Sequence, residues 1–190
     1  MKHLTLLLTL LLLLPLQTQA ASPPDIAFMV IDGNSYLANL AVDGLEPTLA
    51  KRIKTISSGE LGPDKDELHQ AIEQAPIIVV DVMGKELEEY LNKNIDLKGK
   101  TVYALRGSHD DERLRRLGFL FDEEVSEYFQ QLSLENTQNM LRLVINRHLD
   151  KTVSYAPVKT MPQLGIHHSD ADQPFIDAQS FLHWQQERQQ

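Results

Sequence analysis

The chain has 190 residues, 42% hydrophobic and 24% charged, with a formal net charge of −9. Those proportions suit one ordinary globular domain, and acidity without a basic stripe speaks against a nucleic-acid partner. With no cysteine, thiolate metal sites, disulfides and a lipoprotein anchor are excluded together.

Lys2 and His3, the leucine-rich run from Leu4 to Leu16 broken at Pro15, and Thr18-Gln19-Ala20 form the three-part pattern of a secretory signal peptide over residues 1–20. The apolar run is shorter than the roughly 20 residues of a membrane-spanning helix. The mature chain is therefore not expected to span a membrane. An uncleaved N-terminal anchor is the alternative. An exported chain without cysteine suits a bacterial periplasm.

Residues 26–31 read as a strand buried on both faces. Asp32 to Ser35 is a turn, with Asn34 or Ser35 as cap for a helix that carries Leu37, Leu40, Ala41 and Leu45 on one face. Pro47 predicts a break between Gly44 and Pro47. Residues 52–56 are a weak strand, 57–63 a loop, and 64–74 a helix with Leu68, Ala71, Ile72 and Ala75 inward. The β-branched run 77–80 is a strand, Met83-Gly84 a turn, 85–94 a helix and 101–105 a further strand. That strand–helix–strand unit implies parallel pairing. A short helix at 111–117 and a short strand at 118–121 follow.

The alternation predicts an α/β fold over residues 25–121. It is a doubly wound, mostly parallel sheet of four or five strands, Rossmann-like or flavodoxin-like, in order 2-1-3-4-5. Residues 122–150 form a helical segment: Val125, Tyr128, Phe129 and Leu132 share a face, and Ser133 caps a second helix that ends near His148. From Lys151 to Gln190 the chain becomes an extended arm with a last short helix around Phe181, Leu182 and Trp184.

In such a sheet, ligands bind beyond the carboxyl ends of the strands. Three loops fall there: Asp32 to Ser35, Asp81 to Lys85, and Arg106 to Glu112. Neither a G-x-G-x-x-G nor a Walker lysine motif is present, which disfavours dinucleotides and P-loop chemistry. Ordinary turns with helix caps are the equal alternative. His109-Asp110-Asp111-Glu112 has metal-ligating residue types. The competing reading pairs Asp111 with Arg115 and Glu112 with Arg116 and sets the acids at a helix N-terminus. His148 is expected to cap a helix C-terminus. His167-His168, with Asp170 and Asp172, is a second candidate metal group, although neighbours in a strand point to opposite faces. No nucleophile motif accompanies any histidine.

Several strings occur in a telling order: Asp32-Gly33-Asn34-Ser35-Tyr36-Leu37, Val82-Met83-Gly84, Ile95 through Ser108, Arg116-Leu117-Gly118-Phe119, Leu134-Glu135-Asn136, Asn139-Met140-Leu141-Arg142, Asn146 through Asp150, and Pro162 through His168. In that order the chain resembles a truncated, exported version of the N-terminal region of the CobN-type large subunit of cobaltochelatase, which is related to the magnesium-chelatase H subunit. The likeness runs from about Asp25 to Trp184. It departs from the family's Pro-x-x-Gly-Ile-Tyr-His-Pro string at His167 and Ser169.

The resemblance implies insertion of cobalt or magnesium into a tetrapyrrole, as in cobalamin biosynthesis, by ligase chemistry that forms nitrogen–metal bonds beside ATP-hydrolysing partner subunits. It covers only the opening segment of such proteins, so no catalytic residue is assigned and the chain alone is not expected to insert metal. Asn34, Ser35, Tyr36, Met83, Gly84, Arg106, Ser108 and His109 are expected to bind the tetrapyrrole. Arg106 would meet a carboxylate of the ring, His109 or Met83 would approach its metal axially, and His168 is a further metal candidate. No resident cofactor is assigned; cobalt or magnesium would come with a porphyrin or corrin. A chelatase-like chain is the expected partner. The alternatives are an interaction module without a small ligand, docking through Phe129, Met140, Leu141 and Phe175, or a gene fragment.

Overall fold

A computed structural model describes residues 22–62, 66–108, 110–161, 165–166, 168, 170–171 and 174–188. The leader at 1–20, His109, His167 and the Pro162-Gln163-Leu164 stretch fall outside the described residues.

Five strands among the described residues, β1 (Ile26–Val30), β2 (Ile53–Ser57), β3 (Ile77–Val80), β4 (Thr101–Ala104) and β5 (Phe119–Leu120), pair in parallel in the order β2-β1-β3-β4-β5. Their connections contain helices α1 (Asp32–Asp43) and α2 (Pro47–Ala50), α3 (Asp66–Gln74), α4 (Lys85–Asn94) and α5 (Asp111–Arg116). Then come α6 (Glu123–Gln130), α7 (Leu134–His148) and α8 (Ala178–Glu187). This is the doubly wound α/β sheet read from the sequence. The central strands β1 and β3 are buried at every position, as their unbroken apolar runs require.

Alternate residues of each strand serve different cores, because successive side chains leave a strand on opposite faces. Ile26, Phe28, Val30, Val79 and Tyr103 pack with α1, α6 and α7. Ala27, Met29, Val80 and Val102 pack with Ile72 of α3, Leu87 and Leu91 of α4 and Leu114 of α5. The helical segment is thus one layer of the sheet's own sandwich. Phe129, Met140 and Leu141, read as a docking surface, are 2%, 0% and 0% exposed. These three form part of the core and are not available for docking, while Phe175, the fourth residue of that surface, is half-buried.

Local details also depart from expectation. Neither Asn34 nor Ser35 caps α1. The helix opens at Asp32 with Ile31 at the N-cap position, and Ser35 Oγ donates to the Asp32 carbonyl at 2.7 Å. The expected loop after β2 contains a tight turn in which Ser57 and Glu60 form a reciprocal capping box. The break near Pro47 occurs as predicted, with Pro47 opening α2, where its missing N–H has no helical partner to lose.

Residues 153–161 run extended, clamped by side chains of α6 and α7 and the Gln131 just after α6. Asn136 donates to the Lys159 carbonyl at 2.7 Å and accepts from its amide at 2.9 Å. The Tyr128 hydroxyl donates to the Ala156 carbonyl, Asn139 accepts from the Ala156 amide at 2.8 Å, and Gln131 accepts from the Met161 amide at 2.8 Å. Beyond the arm, Ile166 and Phe175 form an antiparallel bridge, and Phe175, Phe181 and Trp184 pack together. Among the described residues no helix is long and apolar enough to cross a membrane.

Candidate functional site

Parallel pairing sends the loops after β1, β3 and β4 to one edge of the sheet, and a buried carboxylate draws them together. Asp81 is 0% exposed. Its Oδ2 accepts from Asn34 Nδ2 at 3.1 Å and from Arg106 Nη2 at 3.0 Å, and its Oδ1 accepts from the Met83 amide at 3.1 Å. Each of the three loops contributes one donor. A buried carboxylate with several donors is compensated and holds them in fixed places.

Arg106 is correspondingly committed. Its Nη1 lies 3.2 Å from Met83 Sδ and its guanidinium carbon 4.8 Å from the centroid of the Phe129 ring. Its Nε is buried with no partner among the described residues. A ligand carboxylate would have to share this cation with Asp81. Two large side chains stand exposed at this edge beside the charged Asp32, Lys85 and Asp110: Tyr36 in α1 is 76% exposed and Met83 53%. Gly84 stands at the N-cap of α4. A Cβ at that position would lie 2.8 Å from Glu86 Oε2 and 3.1 Å from Ile31 Cγ2.

The first loop has its own latch. Asp32 Oδ1 accepts from the Gly59 amide at 2.7 Å and from Ser58 Oγ at 3.2 Å. The Gly59 amide, followed by serine hydroxyls, holds the Asp32 carboxyl below the usual carboxylate range.

The third loop follows the capping reading in part. Asp110 caps α5 by accepting from the Arg113 amide at 3.0 Å, and Glu112 lies 3.8 Å from Arg116. Asp111 does not pair with Arg115. It accepts from the Ser108 amide at 2.5 Å, while Arg115 lies over the Phe121 ring at 4.5 Å. Arg113 reaches back to Glu88 Oε1 at 2.5 Å; Glu88 is 5% exposed, and its Oε2 has no partner among the described residues.

Of the predicted binding residues, Asn34, Met83 and Arg106 meet through Asp81. Ser35 and Ser108 satisfy local backbone groups, Tyr36 stands bare, and His109 lies outside the described residues. Among the described residues no group of three or more histidine, aspartate or glutamate side chains could hold a metal ion. His168 Nδ1 accepts from the Asp170 amide at 3.1 Å, so in the neutral ring Nε2 bears the proton and offers no lone pair to a metal. That ring instead packs 4.9 Å from Trp184, centroid to centroid. His148 Nε2 lies 2.8 Å from Tyr103 Oη rather than on helix carbonyls, a correction to its expected capping role. Asp81 and Glu88 escaped the sequence reading as site residues. The signal for Asp81 is an acid placed directly after a fully buried strand.

Residues 126–190 match the family model described as CobN/Magnesium Chelatase. The H subunit of magnesium chelatase from Chlorobaculum parvum is 36% identical over 64 residues, which is 34% of this chain and 5% of that protein. The catalytic subunit of cobaltochelatase from Mycobacterium tuberculosis superposes at a TM-score of 0.46 with 12% identity, covering 79% of this chain and 13% of that one. The chain therefore spans a small part of the length of these proteins. The matched segment holds most of α6, then α7, the arm and α8, and lies outside the three loops of the sheet edge.

Proposed function

We propose that this chain, whose residues 126–190 match the CobN/Magnesium Chelatase family model, is an exported chelatase-type domain that binds a tetrapyrrole without inserting metal itself. The observation that carries the reading is the convergence of three loops on Asp81 at the carboxyl edge of the sheet, where open α/β folds receive ligands. Tyr36 and Met83 supply bare apolar surface for the face of a macrocycle. Asn34, Arg106 and the Asp81 carboxylate fix the loops that present them. Cobalt or magnesium enters as cargo of the ring. Cleavage of the leader would release the domain into a periplasm.

Absorbance titration of the purified protein with a cobalt corrinoid and with a porphyrin tests this. A saturable spectral shift with one of the two is expected, weakened about tenfold or more in Tyr36→Ala/Met83→Ala, since two large contacts are lost. Silence with both ligands removes the proposal.

A second reading has its own support. The matched segment contains the arm and α8 rather than the sheet edge. On this reading the chain is an interaction module that docks on a chelatase-like partner through Ile176 and Leu182, which are 75% and 52% exposed. Complex formation with a chelatase chain, insensitive to Tyr36→Ala/Met83→Ala and abolished by Ile176→Asp/Leu182→Asp, would favour it.

A further inference from the structure

Between α3 and α4, on the face of the sheet away from α6 and α7, the surface opens into a cleft of about 650 Å³. That volume lies inside the range of small-molecule sites. The cleft is separate from the Asp81 cluster and shares none of its residues.

Its apolar lining comes from Leu61 and the half-buried Tyr90. The Tyr90 hydroxyl meets His69 Nδ1 at 3.2 Å, and the two rings stand edge-on at 75° with centroids 6.5 Å apart. Burial pushes the Tyr90 phenol up, so it remains neutral. The charges are lopsided. Glu89 is taken by Lys93 at 2.9 Å. Asp66 from α3 and Glu86 from α4 face the same cleft, with no ion pair among the described residues. Both acids also suit the first turns of their helices. That dipole role requires neither an aromatic wall nor a cavity between the helices.

We infer that this cleft binds a cationic amine carried on an aromatic or aliphatic body. The body rests against Tyr90 and Leu61, where a cation near the ring gains further attraction. The ammonium lies between the carboxylates of Asp66 and Glu86. An anionic ligand of the same shape meets two like charges and, among the described lining residues, no cation besides Lys93, which Glu89 holds.

The test uses three probes that share one ring: tryptamine, indole and indole-3-acetate. Each is titrated into the mature chain while the Tyr90 and His69 side-chain signals are followed by NMR. Tryptamine is expected to shift both signals saturably, to bind at least tenfold tighter than indole-3-acetate, and to weaken as salt rises. Asp66→Asn and Glu86→Gln should each reduce its affinity about fivefold, since either removes one attraction to the ammonium, with a circular-dichroism melt lowered only slightly by the lost helix N-terminal charge. Equal affinity for the three probes, no shift at Tyr90 and His69, or unaltered affinity in both variants overturns the inference. None of these outcomes bears on the tetrapyrrole reading, whose residues are elsewhere.

Discussion

The carboxylate of Asp81 and the guanidinium of Arg106 meet at 3.0 Å, the acid wholly buried and the base 27% exposed at its side chain. The contact joins the loop after β3 to the loop after β4, and Asn34 adds the loop after β1. It fixes the sheet edge before any ligand arrives. Asp81→Ala would leave Arg106, Asn34 and the Met83 amide without their acceptor. Breaking a buried pair from one side costs about 3 to 5 kcal/mol. The partial exposure of Arg106 puts this case near the lower end, at about 3 kcal/mol by urea denaturation. Asp81→Asn keeps an acceptor and should lose less. Arg106→Lys should not restore the wild type, because one ammonium cannot reproduce the planar fork that reaches Asp81 and Met83 together. Full stability in Asp81→Ala would show that the loops are held by other means.

The Tyr103–His148 contact predicts a pH dependence near neutrality. Tyr103 Oη and His148 Nε2 lie 2.8 Å apart, a contact in which a neutral imidazole can accept the phenol proton. Burial first, then the charges of Arg147 and Lys151, hold the His148 imidazole below its ordinary value of 6.5. The folded chain therefore takes up this proton less readily than the unfolded one, and stability rises with pH across the window. The contribution is complete above about 6.5 and declines as pH falls from there toward the lower folded value. Thermal melts between pH 7.5 and 5.5 should show the fall, and His148→Gln should flatten it. An unchanged slope in the variant would assign the effect to another histidine.

The sheet was legible because its strands are buried runs set between amphipathic helices. Residues 26–31 and 77–80 admit few other readings, and their order fixes which loops share an edge. Side-chain partners were not legible. Nothing in the string Asp110-Asp111-Glu112-Arg113 says that Arg113 will cross to Glu88, 25 positions earlier, while Asp111 turns back to Ser108. Such pairings depend on how two helices sit on the sheet, which periodicity does not encode. The same holds for Phe129, Met140 and Leu141. An apolar helical face looks alike whether it meets a partner or the chain's own sheet. Asn136 carries no apolar signal at all, yet it is wholly buried because its amide serves the arm.

The latch between Asp32 and Gly59 gives an acid-side prediction. The Gly59 amide and the serine hydroxyls favour the ionised carboxyl, so its folded value lies under 3.8. The associated stability is present above that value and disappears as pH falls through the folded one. A Cβ at residue 59 would stand 2.6 Å from Asp32 Oδ2, so Gly59→Ala must displace the carboxylate. The two sites should therefore couple in a double-mutant cycle. Gly59→Ala is expected to lower the denaturation midpoint of the wild type and to do far less in Asp32→Ala. Additive effects would mean that the glycine answers to the turn and not to the aspartate.

The arm supplies the last prediction. Asn136 donates to the Gln131 carbonyl at 2.6 Å and the Lys159 carbonyl at 2.7 Å, and accepts from the Lys159 amide at 2.9 Å. It thereby pairs with residue 159 much as a neighbouring strand would. Asn136→Ala leaves three backbone groups unpaired, each worth about 1 kcal/mol or more when buried. A loss of about 2 to 3 kcal/mol is expected, with faster hydrogen exchange at the amides of Lys159 and Met161. Asn136→Asp should be worse than Asn136→Ala. It retains the acceptor for the Lys159 amide but turns a second oxygen toward two carbonyls. Asn139→Ala removes a single bond at a more open position, to the Ala156 amide at 2.8 Å, and should cost about 0.5 to 1 kcal/mol. The ordering Asp, then Ala at 136, then Ala at 139 follows from which backbone groups lose partners and how deeply they lie. Equal effects at 136 and 139 would place the arm's stability in Val153 and Val158, which pack against the core, and not in the amide clamp.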